Sequence, residues 1–167
     1  MTTQEEAIQI LADGHKRVRD LIATLPAEAV NEGGMGSGSW SPKDLIGHLG
    51  FWERAALEAV DAWSSGGAAP IDRLLYRGID SVNRDALRAI RAADLEDLIK
   101  EADWAHDALV DYIDSISADL WGSPPTARHV HSIGESLGRI LLGPQGLFTH
   151  YQDHIKDLET FVAGRVK

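Results

Sequence analysis

Residues 41–64 read SPKDLIGHLGFWERAALEAVDAWS, and this stretch decides the fold class. Ser41 stands before Pro42, which suits the first helical position, and Asp44 follows three residues on, where it can answer Ser41 in a capping box. Behind that start, Leu45, His48, Leu49, Trp52, Ala55, Ala56, Ala59 and Trp63 recur at steps of three and four, the period of one helical face. The helix ends before Ser65-Gly66-Gly67. His48 lies inside the apolar stripe, about two turns from the capped start, and no neighbouring carboxylate on that stripe explains its burial.

The same period recurs elsewhere. Ala7, Ile10, Leu11, Val18, Leu21, Ile22 and Leu25 predict an amphipathic helix up to Pro26, followed by a flexible glycine-rich loop through Gly33, Gly34, Gly36 and Gly38. A short helix is expected over residues 81–91, and Asp94 is read as the cap of a long one carrying Leu95, Leu98, Ile99, Ala102, Ala105, Leu109, Tyr112, Ile113 and Ile116 in register. Residues 121–143 read as a link broken by glycine and proline, and Pro144 is expected to open the last helix, with Leu147, Tyr151, Ile155, Leu158 and Val162 aligned. No strand pattern competes. Four helices of about 18–25 residues, each apolar on one side, predict a single all-α domain over residues 1–167, a four-helix bundle. The long second connection permits a crossover between its second and third helices.

Composition removes several function classes. Sixteen Lys and Arg against twenty-six Asp and Glu give a net charge of −10, which repels phosphate backbones and anionic lipid, so no non-specific nucleic-acid binding is expected. With no cysteine there is no disulfide, thiolate nucleophile or cysteine-based metal site, and soft-metal chemistry falls to histidine. The acidic N-terminus and the lack of any apolar run approaching about 18 residues predict a cytoplasmic protein without membrane association.

Three of the seven histidines form a pattern. His150 and His154 stand four apart on the last helix, on the face bearing Leu147, Tyr151, Ile155 and Leu158, so both imidazoles point into the bundle. Such a pair can hold one ion, because metal–nitrogen bonds of about 2.0–2.1 Å fit that spacing. His48 adds a third inward imidazole from a second helix, giving a facial set with positions open to water or substrate. The competing reading is three structural histidines satisfied by hydrogen bonds. Three neutral imidazoles would leave an ion's charge uncompensated, so a bound water or thiol would be strongly acidified. Since the chain has no thiol, a low-molecular-weight thiol would have to arrive as a cofactor. A thiol-dependent transferase or isomerase acting on a small molecule and a metal-dependent hydrolase therefore both remain open. A non-catalytic bundle serving as a binding or self-association module is the alternative class.

The remaining candidates read as ordinary surface or core. His129 and His131 fall in the proline- and glycine-flanked link, while His15 and His106 have the charged neighbours Lys16 and Asp107 and read as surface. Glu53 reads as solvated, with a supporting role beside the metal ligands or a role as an acid as the alternatives. Trp52 and Trp63 read as core, and Asp153, about 100° round the helix from His154, is not expected to be a ligand.

Residues 40–53, WSPKDLIGHLGFWE, resemble the second-helix signature of the DinB-like superfamily, and His150-Tyr151-Gln152-Asp153-His154 resembles its last-helix motif. That superfamily includes the N-terminal domain of mycothiol-dependent maleylpyruvate isomerases and the colibactin self-resistance proteins. The resemblance implies an up-down-down-up bundle, frequently a homodimer, with a divalent ion, zinc or nickel, held at the positions of His48, His150 and His154. It also implies thiol-dependent transfer or isomerisation in detoxification or stress. The isomerases carry glutamate at the position of His150 and a further C-terminal domain, so maleylpyruvate itself is not the expected substrate.

Overall fold

The protein is described by a computed structural model over residues 2–36 and 38–165; Ser37, within the glycine-rich loop, lies outside the described residues. Among these residues there are eight α-helices: α1 (Gln4–Ala23), α2 (Pro42–Ser64), α3 (Pro70–Leu75), α4 (Ile79–Ala92), α5 (Leu95–Ser115), α6 (Ala118–Trp121), α7 (Ile133–Ile140) and α8 (His150–Ala163). The only β pairing among them consists of two isolated bridges, Met35 with Trp40 and Gly143 with Gly146. None of the described helices is long and apolar enough to cross a membrane.

Local chemistry sets the helix starts. Ser41 Oγ accepts from the Asp44 amide at 3.1 Å and Asp44 Oδ2 accepts from the Ser41 amide at 3.0 Å, the reciprocal cap read from the sequence. Thr3 and Glu6 form the same box at α1. Asp94 differs from expectation, since its side chain makes no capping bond and only its carbonyl receives the Leu98 amide at 3.1 Å.

One core joins the long helices: Leu11 and Val18 from α1, Leu45 and Leu49 from α2, Leu109 and Ile113 from α5, and Leu158 and Phe161 from α8 are all buried in it. Small residues permit close approach. A Cβ at Gly50 would stand 3.0 Å from Ala102 Cα, and one at Gly14 only 2.5 Å from Tyr151 Cβ. At the far end, Gln4 Nε2 donates to the carbonyls of Ile113 and Ile116 at 2.7 and 2.8 Å, satisfying acceptors that the end of α5 leaves open.

Two connections differ from the sequence reading. The glycine loop is closed by Met35 N donating to Trp40 O at 3.0 Å, with Met35 buried, so Trp40 is carried back over α2. The last helix begins six residues later than Pro144, at His150. Pro144 sits instead in a turn closed by paired Gly143 and Gly146 bonds of 3.1 and 3.2 Å, after the unanticipated helix α7. Phe148 then takes a left-handed φ of 65° with its ring fully buried. That conformation costs about 1–2 kcal/mol, and burying the ring offsets it by about 1.5–3 kcal/mol.

Candidate metal centre

The caps and the late start of α8 bring His48 and His150 into contact. Their Nε2 atoms lie 3.0 Å apart, close to the separation that two nitrogens about 2.0–2.1 Å from one ion require. His154, one turn further along α8, completes a group whose ligand atoms all lie within 4.8 Å of one another. Its ring is 5.1 Å from that of His48 and 5.3 Å from that of His150, centre to centre. His48 is buried and the other two are half-buried.

The three rings are held neutral. Burial, reinforced by repulsion from His150 and His154, lowers the His48 pKa from 6.5 to about 2. Burial and the neighbouring His154 lower that of His150 to about 3. His154 is also lowered by burial, against the opposing pull of Asp153 and Asp157. Neutral imidazole is the form that ligates metals. His154 Nε2 is buried without a hydrogen-bond partner, and such an orphan normally costs about 1–3 kcal/mol. A buried ring nitrogen without a hydrogen-bond partner, beside two more imidazoles, fits a cation site.

Aromatic rings wall the group. Trp40 meets His48 edge-on at 4.8 Å and stacks on His154 at 6.0 Å, and Trp52 meets His150 at 6.1 Å while its Nε1 donates to Asn83 Oδ1 on α4 at 3.1 Å. A cavity of about 340 Å³ opens from the histidines toward Leu75, Ile79, Arg139 and Leu142. It has room for a small substrate. Asp153, exposed, also lines this cavity. Sequence periodicity gave no sign of Asn83 or Arg139, because they come from α4 and α7, whose placement depends on what they pack against.

His129 bonds to Thr126 Oγ1 at 2.8 Å, His131 to Glu135 at 2.8 Å, and neither joins the three. The readings of His15, His106 and Glu53 are overturned. Glu53 is 1% exposed and His106 7%, with His106 Nδ1 3.1 Å from Glu53 Oε1. His15 is half-buried, its ring stacked on His106 at 4.0 Å. Burial raises the Glu53 pKa against the opposing pull of His106 and Tyr151. Burial, with repulsion from His106, lowers that of His15 to about 4.

A family model described as the DinB superfamily matches residues 14–157. No curated protein gives a significant match. Two solved structures share the fold. One is an uncharacterised protein from Escherichia coli UTI89, with a TM-score of 0.81 and 14% identity, covering 98% of this chain and 95% of that one. The other is the colibactin self-resistance protein ClbS in complex with a double-stranded DNA, with a TM-score of 0.78, 16% identity and 96% of each chain covered.

Proposed function

From the premise that the chain belongs to the DinB superfamily, we propose that it holds one divalent ion, zinc or nickel, on His48, His150 and His154 and acts as a small-thiol-dependent transferase or isomerase in detoxification or stress. The convergence of three neutral imidazoles from α2 and α8 at the floor of a cavity carries this reading. An ion bound there would acidify a thiol or a water. The chain's own residues do the rest. Trp40 and Trp52 exclude water from one side of the histidines, the Asn83 bond fixes the Trp52 ring, and Leu75, Ile79 and Leu142 offer an apolar wall to an electrophile. With no cysteine in the sequence, the thiol enters as a separate molecule.

The test is elemental analysis of protein purified without a metal-affinity column, beside His150→Ala. About one zinc or nickel per chain at this centre, lost in the variant while the helical circular dichroism persists, is the expected result. Unchanged stoichiometry in His150→Ala removes the assignment. Turnover of electrophiles that needs both thiol and metal supports the transferase, and turnover that needs metal alone makes the protein a hydrolase. A loaded site with no turnover makes it a binding or self-association module.

We further read α1, α2, α5 and α8 as an up-down-down-up bundle in one domain over residues 1–167, with α3 and α4 in the crossover. The pairings of Gln4 with Ile113, Gly50 with Ala102 and Gly14 with Tyr151 support that order. A cytoplasmic homodimer completes the proposal, and a monomer mass in light scattering would count against the pairing.

A further inference from the structure

A second polar cluster lies in the core, and each long helix contributes one side chain to it: His15 from α1, Glu53 from α2, His106 from α5 and Tyr151 from α8. Ligand atoms of His15, Glu53 and His106 lie within 4.8 Å of one another. A leucine at any of these positions would have served packing alone, so the polar groups need an explanation in their own hydrogen bonds.

Those bonds leave two buried oxygens, Glu53 Oε2 and Asp103 Oδ1, without a partner. His15 Nε2 lies 3.1 Å from Asp103 Oδ1, yet that buried oxygen has no hydrogen-bond partner. The other ring nitrogen of His15, Nδ1, is 3.1 Å from the Tyr151 hydroxyl, whose single proton serves either His15 or Glu53. Glu53 Oε1 lies 3.1 Å from His106 Nδ1, and Glu53 Oε2 is buried with no hydrogen-bond partner. A carboxylate 1% exposed with one oxygen unpartnered lacks a compensating positive centre.

We infer that His15, Glu53 and His106 form a second, buried site for a divalent first-row metal ion, with Asp103 orienting His15 from behind. Two imidazoles and a carboxylate are a common donor set for zinc, iron and manganese. A carboxylate on the far nitrogen of a ligating histidine is the usual support for such a ligand. The His15 and His106 rings stack within 8° of parallel, and an ion lies in the plane of each ring that binds it. Loading therefore splays the two rings, and this site binds more weakly than the His48 centre. The inference stands on its own residues and does not depend on the thiol chemistry.

The experiment uses the full chain carrying His48→Ala and His150→Ala, which leaves the buried cluster intact. It is titrated with Co²⁺, read by visible absorption, and with Zn²⁺, read by elemental analysis after dialysis. About one ion per chain is expected in this background and about two in the wild type. Adding Glu53→Gln, nearly the same shape, lowers the residual affinity by roughly tenfold or more while the helical signal persists. No ion taken up by the folded double variant, or uptake indifferent to Glu53→Gln, overturns the inference. Should the double variant fail to fold, Glu53→Gln in the wild-type chain decides the matter: a fall from two ions to one supports the site, and an unchanged count refutes it. Loss of the ion belonging to His48 and His150 is read separately, from the difference between wild type and double variant.

Discussion

Replacing Gly14 by alanine tests whether the close passage of α1 over α8 sets the position of the histidines. The added Cβ would stand 2.5 Å from Tyr151 Cβ and 2.7 Å from its Cγ, where carbon atoms normally rest about 3.5–4.0 Å apart. The clash is at the root of the tyrosine, whose side chain is buried, so Tyr151 cannot swing clear and the helices must part by about 1 Å. Overpacking of this kind costs about 1–3 kcal/mol, and the better helix propensity of alanine returns about 1 kcal/mol. The net loss is about 1 kcal/mol, a fall in melting temperature of about 2–4 °C for a chain of this size. His150 precedes Tyr151 directly, so the same displacement carries its Nε2 away from His48, and metal ligands tolerate only about 0.2 Å. In a competitive zinc titration beside calorimetry in chelator, zinc affinity falls by about tenfold or more, a larger effect than the modest loss of stability. Wild-type affinity together with wild-type melting would refute the claim that this contact positions the site.

Two further outcomes follow from the charges. In chelator, His48 and His150 have pKa values of about 2 and about 3 in the fold against 6.5 unfolded, so the unfolded chain binds more protons below pH 6.5. Stability is then full above that pH and falls as pH drops toward the folded values, by about 1.4 kcal/mol per unit for each histidine. Urea unfolding between pH 7.5 and 5 should show a shallower slope in His48→Gln, and equal slopes would contradict the burial of a neutral ring. Although ClbS is crystallised with double-stranded DNA, this chain carries a net charge of −10 and is expected to give no anisotropy change with labelled duplex DNA at physiological salt. A salt-sensitive rise would show that a local surface overrides the net charge.

The all-helical class, the start of α2 and the inward course of His48, His150 and His154 are legible from chain neighbours. Each of these is a short-range property. A capping box joins residues three apart, and a face of a helix repeats every three or four, so neighbours along the chain suffice to read them. Lys16 and Asp107 misled the reading of His15 and His106 for the same reason. Charged chain neighbours describe the adjacent faces of a helix and say nothing of what lies opposite, and opposite His106 lies Glu53 of α2. Only the tertiary structure could place Trp40 over His154, since that depends on the Met35 bridge across the glycine loop. It alone moved the start of α8 to His150, because Phe148 fills a core position built by residues such as Trp121, distant in sequence, and accepts a left-handed backbone to do so. Local signals fix which face of a helix is apolar; the burial of a polar group is decided by the partner that meets it, and that partner lies far away along the chain.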